Sequence, residues 1–149
     1  MVFGASVFSW REIVGWLSSY GRVVAFDRPG FRLSERAWYN KSKITSYVVE
    51  GYRYPLKARD WDKGLYWLME YRGFPDISNR LGSLRISVLV VHGLNDEIVH
   101  LSSSIELVEL LDTASYSRLI VINECGHLPH EEKPAEFIQT IQEFIAKNL

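Results

Sequence analysis

The run Ser87-Val88-Leu89-Val90-Val91-His92-Gly93-Leu94-Asn95-Asp96 constrains this chain more than any other stretch. An unbroken β-branched run closed by a Gly turn reads as a strand covered on both faces, which calls for helices packed on a sheet. The same design recurs downstream, where Leu119-Ile120-Val121-Ile122 runs into Asn123-Glu124-Cys125-Gly126-His127. Two parallel strands therefore end in Asp96 and His127. In open α/β sheets the loops at strand carboxyl ends carry the chemistry, and a carboxylate beside an imidazole orients and tunes a base. Either residue alone reads more simply as a surface-turn Asp or an ordinary loop His. Their order and shared context favour a joint function.

The remaining elements alternate with these strands. Trp10, Ile13, Val14 and Leu17 share a helical spacing, with Ser9 and Glu12 as a capping box, and Gly21 ends that helix. Arg22-Val23-Val24-Ala25-Phe26 reads as a strand running into the turn Asp27-Arg28-Pro29-Gly30, and 31–43 reads as a loop. A helix over 44–52 is stopped by Pro55, and Asp60 caps a helix carrying Trp61, Leu65, Leu68 and Met69. The aromatic density of this middle section (Tyr47, Tyr52, Tyr54, Trp61, Tyr66, Trp67, Tyr71) suits core packing better than a ligand pocket. A short helical connector over 77–84 precedes the Asp96 strand, and Ser103 with Glu106 opens a helix bearing Ile105, Leu107, Val108 and Leu111. Pro134 starts the last helix, where Phe137, Ile138, Ile141, Phe144 and Ile145 form the apolar face. Strand–helix alternation gives an α/β class with a parallel sheet and flanking helices.

Composition narrows the function classes. At 149 residues, 47 % hydrophobic and 23 % charged, the chain has room for one real core and no sign of disorder or repeats. A formal net charge of −1, with signs interspersed, offers no basic face for phosphates, so nucleic acid and anionic membranes are not expected partners. No apolar run approaches the ~20 residues of a membrane span. No signal or transit peptide is visible in this chain, and the cytoplasm is the favoured compartment. The lone Cys125 has no internal disulfide partner and reads as a small buried thiol.

Four blocks, in this order, resemble successive signatures of the α/β-hydrolase fold family of the AB hydrolase-1 type, in a subset resembling plant hydrolases. They are Phe3-Gly4-Ala5-Ser6 with Trp10; Val24-Ala25-Phe26-Asp27-Arg28-Pro29-Gly30-Phe31; Val88 to Val99; and Cys125-Gly126-His127-Leu128-Pro129-His130-Glu131. The section from Trp38 to Trp67 resembles the segment that follows the family's lid. The resemblance implies Asp96 as triad acid, His127 as general base, and Phe3 and Gly4 as a remnant of the loop that lends a backbone N–H to the oxyanion hole. The family usually has His-Gly where this chain has Met1-Val2, and Gly where it has Arg32.

One signature is absent from the sequence. The family's nucleophile sits in a G-x-S-x-G elbow, and no such pentapeptide occurs: Gly4-Ala5-Ser6-Val7-Phe8 lacks the closing Gly, and Leu81-Gly82-Ser83-Leu84 is no better. The resemblance jumps from Arg36 to Ala37, which implies a truncated or alternatively spliced relative with a partial fold whose central strands are missing. One incomplete domain is expected, with an oxyanion loop, first helix and strand over 1–36, a helical post-lid section over 37–83, and the acid- and His-bearing strands over 84–149. Losing a triad nucleophile costs about 10⁶ in turnover, and unpaired strand edges cost ~1–3 kcal/mol per buried group.

Other chemistries have less behind them. His127-Leu128-Pro129-His130-Glu131 lacks metal-ligand spacing, so no metal and no cofactor is expected. Cys125, two residues from His127, reads as structural rather than as a substitute nucleophile, and His92 and His100 read as turn and surface residues. No Gly-rich phosphate loop is present. The expectation is thus a hydrolase-family chain whose relatives cleave ester-like bonds of small apolar substrates, with acid and base kept and the nucleophile lost. The alternative is a non-catalytic module that binds a small apolar ester-like ligand, or pairs through exposed sheet edges with an intact hydrolase and modulates it.

Overall fold

A computed structural model describes residues 7–20, 35–70, 78–111 and 116–148. Its centre is a parallel pair of strands, β1 (Ser87–Gly93) and β2 (Tyr116–Ile122), in register from Ser87 beside Tyr116 to Gly93 beside Ile122. Among the described residues the sheet has these two strands. Helix α5 (Leu101–Glu109) makes the crossover between them, and α7 (Pro134–Asn148) packs on both. Pro134 starts α7 where its missing N–H is no loss. At the far end Asn148 Nδ2 donates to the Phe144 carbonyl at 2.7 Å, while its Oδ1 accepts from Ser87 Oγ at 3.3 Å, tying the helix end to the start of β1. Tyr116 and Phe144 rings meet at 5.8 Å beside this tie.

The apolar run of β1 predicts a strand covered on both faces. Ser87 to Val91 are instead half-buried, and only His92 and Gly93 are buried. Among the described residues the sheet has two strands with α5 and α7 on them, fewer layers than enclose a wide sheet. The tightest packing lies elsewhere, where Ala37, Trp38, Val48, Tyr52 and Leu128 cluster with Phe8 and Ile44 against them. This core joins the amino-terminal turn, the helix α2 (Ser46–Arg53) and the segment after β2. Thr45 caps α2 by accepting from the Val48 N–H at 3.3 Å, and Pro55 falls in the 3-10 turn Tyr54–Lys57 that follows. Helix α3 (Trp61–Glu70) and the one-turn α4 (Ser78–Leu81) lie where the sequence places them.

Several local expectations fail for traceable reasons. The first helix divides into a 3-10 turn, Val7–Trp10, and a single α-turn, α1 (Val14–Leu17), whose cap residue is Ile13. The Ser9–Glu12 box does not form: Ser9 Oγ lies 3.2 Å from His130 Nε2, and Arg11 bonds the Phe8 carbonyl and the Glu131 carboxylate. Likewise α5 opens behind His100 with no side-chain cap, ahead of Ser103. Asp60, directly ahead of α3, takes φ 58° and pairs with Lys63 Nζ at 2.7 Å. Of the middle-section aromatics, Tyr52 is in the core, whereas Tyr47, Tyr54, Tyr66 and Trp67 stand exposed. The strand over 22–26, the turn after it, and Phe3 and Gly4 lie outside the described residues.

Candidate active site

The acid arrives through backbone pairing at the end of β1. Leu94 N–H donates to the Ile122 carbonyl and Asn95 N–H to the Cys125 carbonyl, both at 2.8 Å, so the two strand-end loops are laced together before Asp96 is reached. Asp96 Oδ1 then accepts from the N–H groups of Ile98 (2.8 Å) and Val99 (3.0 Å), the local turn that short carboxylates favour. Oδ2 is left for His127 Nδ1, 2.7 Å away. The side chains are 4 % and 11 % exposed, so little water competes for the contact. A carboxylate only accepts, so the imidazole proton belongs on Nδ1, and Nε2 carries the lone pair. That Nε2 is buried and has no hydrogen-bond partner among the described residues.

The lacing depends on Gly93. A Cβ there would overlap the Gly126 and Cys125 carbonyls, and backbone has no rotamer with which to yield. Gly93→Ala should therefore cost about 1–3 kcal/mol through overpacking, measured as a fall in the urea midpoint with loss of the Asp96–His127 contact by NMR.

His127 itself is held from two sides. Its N–H donates to the Ala37 carbonyl at 2.8 Å, and the preceding Gly126 N–H donates to Glu132 Oε1 at 2.7 Å. Glu132 Oε2 also accepts from Tyr39 N–H (2.9 Å) and Asn40 N–H (3.1 Å), while Lys43 Nζ reaches the Glu132 carbonyl. Glu132 lies on the short helix α6 (Pro129–Glu132), all of whose residues are buried. Beside it Glu131 receives the Tyr52 hydroxyl at 2.7 Å and the Arg11 guanidinium. Burial pushes the Glu131 carboxyl up, against the pull of Tyr52 and Arg11, and burial with the Glu131 charge raises the Tyr52 phenol. His130 stacks on Trp10 at 4.4 Å, so the two histidines and the Glu of this motif turn to different partners. Cys125 is fully buried, its thiol pushed up to about 12 by burial and then by Glu132, as befits a structural thiol.

Burial also lowers His130 to about 4, with the charges of His127 and Arg11 acting the same way. An unfolded chain takes up that proton as pH falls below 6.5, while the folded chain resists until about 4, so stability falls with pH across this window. Glu131, raised by burial, acts in the opposite sense. His130→Phe keeps a ring against Trp10 and removes the titration. Its unfolding free energy should vary less between pH 4 and 6.5, by on the order of 3 kcal/mol, in urea titrations at each pH.

Asp96 and His127, which the sequence singles out, come together in the structure. His92 reads from the sequence as a turn residue, yet it is buried, with Nδ1 2.8 Å from Ser104 Oγ on α5. Its place inside the apolar run was the available signal. His100 is exposed, as expected. Glu132 had no local signal, because an acid just ahead of a Pro-started helix reads as first-turn charge.

No protein-family model matches the chain. It is 36 % identical over 72 residues to 2-hydroxy-6-oxononadienedioate/2-hydroxy-6-oxononatrienedioate hydrolase 1 of Pseudomonas putida, covering 48 % of this chain and 24 % of that protein. It is 30 % identical over 111 residues to 2-hydroxy-6-oxo-6-phenylhexa-2,4-dienoate hydrolase of Comamonas testosteroni, covering 72 % and 37 %. The chain thus spans well under half the length of these curated relatives. Among solved structures, a meta-cleavage product hydrolase from Pseudomonas fluorescens IP01 matches with TM-score 0.60 at 22 % identity, over 76 % of this chain and 43 % of that one. A serine hydrolase involved in carbazole degradation matches with TM-score 0.63 at 20 % identity, over 75 % and 44 %. With parallel strands, flanking helices and these matches over about three quarters of its length, the chain is an α/β-hydrolase-fold protein whose homologues include meta-cleavage product hydrolases.

Proposed function

We propose that Asp96 and His127 are the acid–base half of a hydrolase site. The observation behind this reading is the 2.7 Å contact that fixes the His127 tautomer while Nε2 stays buried and unbonded among the described residues. Nε2 is the atom that takes a proton from an attacking group, and Asp96 stabilises the imidazolium that results. The substrate class is a small carbonyl compound, either an ester-like molecule or the carbon–carbon bond cleaved in meta-cleavage products. Phe3 and Gly4 belong to the oxyanion loop in this reading.

With no G-x-S-x-G elbow in the sequence, the chain alone is left with water. His127 Nε2 accepts a proton as the water oxygen bonds to the carbonyl carbon, and the leaving group departs with that proton when the intermediate collapses. Such base catalysis is worth about 10²–10⁴, far below a covalent route. The purified chain should therefore hydrolyse p-nitrophenyl butyrate slowly and without a burst, leave a fluorophosphonate probe unreacted, and lose its rate above buffer in His127→Ala. A labelled serine, or a rate indifferent to His127→Ala, would overturn this reading.

A second reading is a non-catalytic module that pairs with an intact hydrolase. The half-exposed β1 favours it, since the apolar run Val88 to Val91 is left only partly covered. Co-elution with an intact meta-cleavage product hydrolase on size exclusion would support it, and independent elution would remove it.

A further inference from the structure

A second imidazole faces the carboxylate that holds His127. His92, 6 % exposed, sits at the end of β1 with Nδ1 2.8 Å from Ser104 Oγ and Nε2 3.9 Å from Asp96 Oδ2, the oxygen that also receives His127. This Nε2 has no hydrogen-bond partner at ordinary distance among the described residues. Burial lowers the His92 pKa, with Asp96 opposing and His127 adding to it, which favours the neutral ring with a single N–H at neutral pH.

The surroundings decide which nitrogen carries the proton. Ser104 Oγ can donate or accept, so it satisfies either form of Nδ1. The group facing Nε2, the Asp96 carboxylate, can only accept from it. A proton on Nδ1 would turn the Nε2 lone pair toward an anion. A proton on Nε2 turns an N–H dipole toward it, while the Ser104 hydroxyl donates to Nδ1. The second arrangement is the electrostatically favourable one.

We infer that His92 is a positioning residue: held from behind by Ser104 in its Nε2–H tautomer, it points an N–H at Asp96 Oδ2 and keeps that carboxylate turned toward His127. This rests on the reading of Asp96 and His127 as an acid–base pair. Asp96 is then faced by four N–H groups, those of Ile98 and Val99 on Oδ1 and those of His127 and His92 on Oδ2. At 3.9 Å the His92 contact is an oriented dipole rather than a hydrogen bond, and about 1 Å of ring movement closes it. Rotation of the carboxylate away from His127 would give up both imidazoles together.

The test is imidazole ¹⁵N NMR of the full chain at neutral pH, with the downfield His127 Nδ1–H proton as the second readout. The expected result is His92 protonated at Nε2 and bare at Nδ1. His92→Phe should shift or broaden the His127 proton, and His92→Gln, whose amide N–H can occupy the Nε2 position, should restore it. An Nδ1–H tautomer for His92, or a His127 proton unchanged in His92→Phe, overturns the inference. The tautomer is read on the unsubstituted chain, so it decides the matter even if His92→Phe does not fold. Absence of the His127 Nδ1–H signal from the unsubstituted chain would instead overturn the acid–base reading, and the His92 tautomer is measured independently of it.

Discussion

Glu132→Ala should unfold most of the population at room temperature. The Glu132 side chain is 1 % exposed and its two oxygens are the acceptors for the N–H groups of Gly126, Tyr39 and Asn40 at 2.7, 2.9 and 3.1 Å. Removing the carboxylate leaves three buried donors without a partner, at about 1–3 kcal/mol each, so ~3–9 kcal/mol is at stake against a typical total of ~5–15. Lys43 Nζ cannot take over, since it is itself a donor, held on the Glu132 carbonyl. The cooperative near-UV transition should be lost or moved far down in temperature. Glu132→Gln keeps one acceptor and sets an NH₂ against an N–H, so it should fall between Ala and the unsubstituted chain. A Glu132→Ala protein with an unchanged urea midpoint would mean that water or main-chain movement satisfies all three donors.

Glu132 also marks the boundary between what this sequence announces and what it hides. The helices α2 and α7 were legible because their punctuation is local: Pro55 stops one and Pro134 opens the other. The strands were legible because β-branched runs closed by turns have few other uses, and Asp96 and His127 follow from their position at the ends of those strands. Polar contacts between distant segments leave no such trace. Ser9 is a good capping residue whose hydroxyl faces a histidine 121 positions away, and that rivalry removes the first helix's cap. Arg11 and Glu131, 120 positions apart, form a part-buried ion pair that no local pattern announces. His92 failed for a related reason, since a histidine near a Gly turn reads as exposed until the crossover helix brings Ser104 over it. The exposed Tyr54, Tyr66 and Trp67 show the converse, an apolar density that composition assigns to a core and the fold leaves at the surface.

Asp96→Asn should reduce the base-dependent ester turnover to that of His127→Ala while leaving the chain folded. The N–H groups of Ile98 and Val99 both need an acceptor where Oδ1 now sits, so the amide oxygen takes that position and the NH₂ faces His127. An NH₂ only donates. His127 Nδ1 must then accept, which moves the imidazole proton to Nε2 and removes the lone pair on which proton abstraction depends. The imidazolium also loses its counter-charge, and the two effects fall on one step worth about 10²–10⁴. Stability should fall by only about 1–2 kcal/mol, because a charge-assisted bond is replaced by a neutral one rather than left empty. Steady-state ester hydrolysis, compared across Asp96→Asn, His127→Ala and the unsubstituted chain, measures the rate. The ¹⁵N pattern of His127 measures the cause, and it should change from Nδ1–H to Nε2–H in the same variant. A His127 that kept its proton on Nδ1, or a rate unmoved by the substitution, would show that Asp96 is a turn residue that happens to touch an imidazole.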